Sequence, residues 1–388
     1  MIDFKEEVKA ELTEHIIPFW INLRDDENGG FYGSLSTDLE LDKKADKGII
    51  AHARILWTFS AVYNEIGGEE NLKNAKHAYE FLINKGLDKE YKGFYWMLDY
   101  KGNKTDTRKH IYVQSFCIYA LSEYYRASKN EKALEYAIDL YNLVEDTGFD
   151  KDIKAYREEF NREWEEAINE MLSENGVIAD ITMNTHLHVL EAYTNLYLVW
   201  QDEGLKKVIE NLIYVFYEKI YDKETKFLKV FLNKNWQSII DLKSFGHDIE
   251  ASWLIDDAIK AIGLKDEKLD KMIIDIAYNI GEYAIQEDGS LINEEENSIK
   301  DFDRVWWVQA EAVIGFLNIY EKNKDELMLT YAKDLWTYIK DKIIDKRPGA
   351  EWYQSINAKG NPTTRRIVEP WKAPYHNGRF CLEIMKRG

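Results

Sequence analysis

The sequence predicts an all-α protein, a closed (α/α)6 barrel of six inner and six outer helices. Three observations predict it. Only Pro18 interrupts the first 340 residues, the other four prolines lying in the last tenth of the chain, so long helices are permitted almost everywhere. Helical segments alternate between two kinds, one carrying a single apolar stripe and one apolar or small on nearly every side. The second kind recurs, each opened by His or Gln (His52, Gln114, His188, His247, Gln309, His376), at spacings of 62, 74, 59, 62 and 67 residues.

Taken in order, residues 4–20 form the first amphipathic segment, and 52–63 (HARILWTFSAVY) is the first apolar one. In 71–85, Leu72, Ala75, Tyr79 and Leu82 fall on one helical face, followed by the apolar 113–125. Ala133, Ala137, Tyr141 and Val144 stripe 130–145, and 187–200 follows. Leu205, Val208, Leu212 and Val215 stripe 204–218, with Lys and Glu opposite, before 247–259. The pattern ends with 266–286 and 308–320, then 326–341 (Met328, Ala332, Leu335, Ile339) and 376–385. A helix apolar all round must be covered on both sides, so these six are inner and the striped ones wrap them. Short aromatic stretches after outer helices, such as Gly30–Gly33, Gly93–Trp96 and Phe227–Phe231, read as small hairpins. No linker or composition break divides the chain, so residues 1–388 are expected to form one catalytic domain. An open solenoid is the competing architecture.

Composition narrows the function. Hydrophobic residues are 45% and charged residues 31%, as in ordinary globular proteins. A net charge of −19 would be repelled by phosphate backbones and anionic membranes, which excludes nucleic acid and membrane surfaces as expected partners. No apolar run approaches the ~20 residues that a bilayer requires. Two cysteines and a charged N-terminus without an apolar core point to a cytoplasmic protein. Protein partners are not indicated. Aromatics reach 14%, including 12 Trp and 25 Tyr. They can fill a large core or stack on sugar C–H faces.

Parallel inner helices bring their N-termini to one end of a barrel. That gathers His52, His188, His247 and His376 around one mouth, in positive helix-terminal potential. Arg54 lies on an inner helix, where it must face the cavity or pair with a carboxylate. Tyr112 and Asn184 stand at helix starts, and Glu191, Glu250 and Glu311 about one turn inside. Trp253, Trp306, Trp307 and Trp371 lie near the same level. Flat apolar faces with fork-like polar groups suit a neutral sugar. The pairs His188-x-x-Glu191 and His247-x-x-Glu250 raise a metal reading, but two separate pairs without a third carboxylate make a poor ligand set. No metal and no cofactor are expected. No nucleophile elbow, zinc-protease helix or phosphate loop occurs.

The strings HIIPFWINLRDDENGGFYG, KADKGIIAHARILWTFSAVYN, MNTHLHVLEAYTNLY, FGHDIEASWLID, RVWWVQAEAVIGF and EPWKAPYHNGRFCLEI resemble the cellobiose 2-epimerase branch of the N-acylglucosamine 2-epimerase superfamily. The likeness spans about residues 12–386, and that superfamily has an (α/α)6 barrel. It implies that His247 and His376 are the two acid/base histidines, and that His188 assists ring opening. It implies that Arg54 holds substrate oxygens and that Tyr112, Asn184, Glu250, Trp253, Trp307, Glu311 and Trp371 line the sugar pocket. The implied reaction inverts C2 of the reducing-end glucose of cellobiose, lactose and related β-1,4-linked disaccharides. Alternatives within the superfamily are an N-acylglucosamine 2-epimerase and an aldose–ketose (mannose) isomerase. From a different class, an inverting glycoside hydrolase on the same barrel could use Glu250 and Glu311, if these stood about 6.5–9.5 Å apart.

Overall fold

The computed structural model describes residues 4–169 and 176–387. The first outer rod is α1 (Lys5–Ala10), a π turn at Glu11–Ile16 and α2 (Ile17–Ile21). Inner helices are α3 (Ile49–Ile66), α5 (Ile111–Ser128), α7 (Met183–Val199), α9 (Phe245–Ile262), α11 (Trp306–Asn323) and α13 (Tyr375–Lys386). Outer helices are α4 (Glu69–Phe81), α6 (Glu131–Leu143), α8 (Glu203–Val215), α10 (Glu267–Ala284) and α12 (Glu326–Tyr338).

The predicted alternation follows from burial. Helix α3 is buried without a break from Ile49 to Val62, whereas α8 buries only Leu205, Ile209, Leu212 and Ile213. Inner neighbours pack in the order α3, α5, α7, α9, α11, α13, and α13 returns to α3. The ring is therefore closed, which excludes an open solenoid. The fold is an (α/α)6 barrel.

Short strands stitch its mouth. Each strand ahead of an inner helix pairs antiparallel with one beyond it: Lys47–Gly48 with Met97–Leu98, Lys109–His110 with Glu159–Phe160, and Leu242–Ser244 with Glu294–Glu296. A bridge between Leu35 and Val368 ties the two ends of the chain, with Leu35 N donating to Val368 O at 3.1 Å. Four outer helices end in a π turn, at Leu82–Gly86, Val144–Gly148, Phe216–Ile220 and Ile339–Ile343. The striped pattern runs straight through these turns, so the sequence reading saw one helix.

Candidate active site

The fourth residue of five inner helices does the same structural work. Its side chain accepts from a backbone N–H of the preceding hairpin: Phe31 N to His52 Nε2 (2.9 Å), Phe94 N to Gln114 Oε1 (2.7 Å), Tyr156 N to His186 Nε2 (3.1 Å), Leu228 N to Asp248 Oδ2 (3.1 Å) and Leu291 N to Gln309 Oε1 (2.9 Å). His52 and His186 each donate from Nδ1 to a backbone carbonyl at 2.8 Å, so both are neutral clamps. At Gly30 a φ of 69° and the His52 ring, 2.6 Å from any added Cβ, leave room for glycine alone.

This corrects the register read from the sequence. His188 and His247 do not share the position of His52; their repeat equivalents are His186 and Asp248. Two residues beyond four of the five clamps, Arg54, His188, Glu250 and Glu311 stand on the inward face of their helices, and Phe116 holds that place after Gln114. His247 and Trp307 lie on the turn before.

Arg54, Tyr112, Asn184, His188, His247, Glu250, Trp307, Trp371 and His376 line one cavity of about 420 Å³, with Trp306, Lys372 and strand residues around the rim. Trp253 and Glu311 sit behind its wall: Trp253 Nε1 donates to Glu311 Oε2 at 3.1 Å, and both are buried. The three cavity imidazoles are each held at Nδ1. His188 meets Glu191 Oε2 at 2.8 Å, His376 meets Glu311 Oε1 at 2.7 Å, and His247 meets Ser244 Oγ at 2.7 Å. Among the described residues, Nε2 is left as the unbonded nitrogen of each ring. The Trp307 ring lies against both His247 and His376, with centroids 4.7 and 5.3 Å away. Gly246 permits this, since a Cβ there would come within 2.7 Å of the Trp307 ring.

Arg54 stacks over Phe116 at 4.5 Å and donates to Trp371 O (2.7 Å) and the Tyr112 hydroxyl (3.0 Å). Its Nε, Asn184 Oδ1 and Glu250 Oε2 are buried without a partner among the described residues. Buried polar atoms are normally paired, so three such atoms around one cavity mark where hydroxyls can bind.

Under the cavity lies a group that the sequence reading did not single out. Arg379 donates to Glu191, Glu250 and Tyr375, and to Glu311 Oε1 at 2.7 Å. The signal that exposed Arg54, an arginine within an apolar inner helix, was present here too. Glu250, Glu311 and His376 are also the three groups that converge closely enough for a cation among the described residues, and the Arg379 guanidinium bonds both carboxylates.

Burial sets the protonation of these groups. Desolvation, then the nearby His188, lowers His247 to about 3, and desolvation with Arg54 and Arg379 takes His376 well below the usual imidazole range. Desolvation and mutual repulsion push Glu250 up to about 7, and burial does the same for Glu311. Burial would also raise Glu191, but Arg379 and the bond from His188 overturn it and hold it at about 2. Two imidazoles of lowered proton affinity thus face a cavity whose walls carry guanidinium and carboxylate.

The model of the N-acylglucosamine 2-epimerase (GlcNAc 2-epimerase) family matches residues 30–378. The chain belongs to that family. It is a carbohydrate epimerase. This epimerase is 50% identical to a cellobiose 2-epimerase of Ruminococcus albus over 98% of each chain. The solved cellobiose 2-epimerase from Bacillus thermoamylovorans superposes with a TM-score of 0.98 at 59% identity, over all of both chains. A family 76 α-mannanase from Bacteroides thetaiotaomicron shares the fold alone, at 14% identity and a TM-score of 0.62, covering 99% of this chain and 94% of its own. No helix among the described residues is long and apolar enough to cross a membrane.

Proposed function

We propose that this epimerase inverts C2 of the reducing-end glucose of cellobiose, and of lactose and related β-1,4-linked disaccharides, by a two-histidine mechanism without a cofactor. One observation carries the reading: His247 and His376, each anchored at Nδ1 and with Nε2 unbonded among the described residues, line a single cavity and both lie against the Trp307 ring. The whole chain acts as one catalytic unit on a small sugar.

His188, backed by Glu191, takes the anomeric hydroxyl proton, the C1–ring oxygen bond breaks, that proton is passed on to the ring oxygen, and the sugar opens to the aldehyde. The C1 carbonyl acidifies the C2 hydrogen. One imidazole removes that proton, the C2–H electrons form a C1=C2 bond, and the carbonyl electrons move to O1. The resulting cis-enediolate is met by Arg54 and the inner-helix N-termini. The opposite imidazole, which enters the cycle carrying the one proton shared by the pair, delivers it to the other face of C2; the O1 electrons re-form the carbonyl, the first imidazole keeps the proton it took, and the ring recloses. No electron leaves the sugar, so no redox partner is required. Neutral imidazole suits the base step, and the carboxylate behind His376 stabilises its imidazolium in the reverse direction. Tyr112, Asn184 and Glu250 bind hydroxyls, Trp307 and Trp371 stack on the sugars, and Trp253 and Glu311 support them from behind.

The glycoside hydrolase reading is weak because Glu250 and Glu311 are bound by one guanidinium nitrogen, and Glu311 does not reach the cavity. An inverting pair must hold a water between its carboxyls. Incubation with cellobiose, N-acetylglucosamine and mannose side by side, with a chelator present, decides among the alternatives. Glucosyl-mannose from cellobiose is expected. Free glucose, epimerisation of N-acetylglucosamine alone, or conversion of mannose to a ketose alone would each replace this reading.

A further inference from the structure

The Arg379 side chain is 1% exposed, and its guanidinium lies 4.3 Å from the Tyr375 ring and 4.8 Å from Trp253. One nitrogen, Nη1, bonds Glu191, whose other oxygen holds His188 Nδ1 at 2.8 Å. The other, Nη2, bonds Glu311 Oε1 at 2.7 Å, the same oxygen that holds His376 Nδ1 at 2.7 Å. Nη2 also bonds Glu250, a cavity residue. A single cation therefore joins the carboxylates that stand behind two of the three cavity imidazoles, across four helices.

We propose that Arg379 is a positioning residue of the epimerisation: its guanidinium fixes the carboxyl groups of Glu191 and Glu311 in place as the acceptors behind His188 and His376, and so holds both rings with Nδ1 protonated and Nε2 bare toward the sugar. The proposal rests on reading those histidines as the ring-opening and acid/base groups. Three carboxylates gathered in a dry floor repel one another, and breaking one partner out of such a cluster leaves an uncompensated buried charge. A planar fork can serve two carboxylates on one edge and a third on the next, which a point charge cannot. Without an acceptor fixed behind it, an imidazole is free to flip or to change tautomer, and its reactive nitrogen would then be capped by hydrogen.

The groups facing this floor are Arg54 from α3, Tyr119 from α5, His188 and Glu191 from α7, His247 and Glu250 from α9, Glu311 from α11, and Tyr375, His376 and Glu383 from α13 itself. Arg379 lowers the proton affinity of His376 as well as of Glu191 and Glu311. Its removal should therefore raise the pH below which the base is lost.

The test compares Arg379→Gln and Arg379→Lys with the unmodified enzyme in kcat, KM and the pH profile of kcat/KM, alongside 15N NMR of the histidine side chains. Arg379→Gln should lower kcat about 10²-fold with KM changed less than about threefold. Its acid limb should move up by about one pH unit. Arg379→Lys should keep the acid limb near its original place while recovering only part of kcat. In the unmodified enzyme, His188 and His376 should show a protonated Nδ1 and bare Nε2 near neutral pH. Folded variants with unchanged kcat overturn the proposal. So does lost activity with an unmoved acid limb and unchanged tautomers, which is what a merely structural role would give. Where neither variant folds, the spectrum of the unmodified protein decides, and an Nε2-protonated His188 or His376 overturns it. Because that spectrum needs no turnover, an enzyme inactive on cellobiose would sink the substrate reading without touching this one.

Discussion

His376 and His188 are backed by carboxylates, whereas His247 is backed by the hydroxyl of Ser244. Carboxylates favour an imidazolium more than a hydroxyl does, so the two proposed C2 groups are unequal partners. Arg54 lines the cavity in which the enediolate is proposed to form. Arg54→Ala should lower kcat more than it raises KM, by roughly 10²-fold or more, in steady-state assays on cellobiose. A change in KM alone would make Arg54 an ordinary binding residue. Arg54 was legible from sequence because an arginine in an apolar inner helix needs a cavity or a carboxylate. Arg379 satisfied the same criterion, but it stands within HNGRF beside a more conspicuous histidine. The indole–carboxylate bond of Trp253 to Glu311 was not legible, since an i, i+4 pattern relates residues of one helix and this contact crosses two.

At the scale of elements, the recurrence of His and Gln at inner-helix starts was visible, but it mixed two roles. The true repeat is the clamp, where Gln114 and Gln309 do what His52 and His186 do. A one- or two-residue offset is invisible when spacings near 60–70 residues are compared without knowing the hairpin backbone each residue holds. The equivalence makes a prediction. Burial lowers His52 to about 3, so the folded state excludes a proton that the unfolded chain takes up below about pH 6.5. Stability from His52 is thus full above that pH and is lost as pH falls toward 3, at a cost of about 2 kcal/mol by pH 5. His52→Gln keeps the acceptor and removes the titration. Its Tm should fall by only a few degrees at pH 7, and the gap should close or reverse at pH 5. A gap that widens on acidification would contradict the neutral-clamp account.

Across the whole molecule, closure of the inner ring from α13 back to α3 is what turns six helix pairs into one walled cavity. The barrel was readable because burial on both sides forces apolar residues all round a helix, a signal that survives without tertiary information. The small strands at the mouth were only hinted at by aromatic stretches, because their pairing joins residues some 50 positions apart, as with Lys47 and Leu98. The closed ring also places His247 and His376 on different helices across one cavity, and the central claim is that each serves one face of C2. Hydrogen exchange at C2 in heavy water tests this most directly, using His247→Asn and His376→Asn with cellobiose and with its mannose epimer supplied separately. The two variants should show reciprocal defects, each losing exchange from one epimer while keeping it for the other. Equal loss from both epimers in both variants would contradict the two-histidine account and favour a single base.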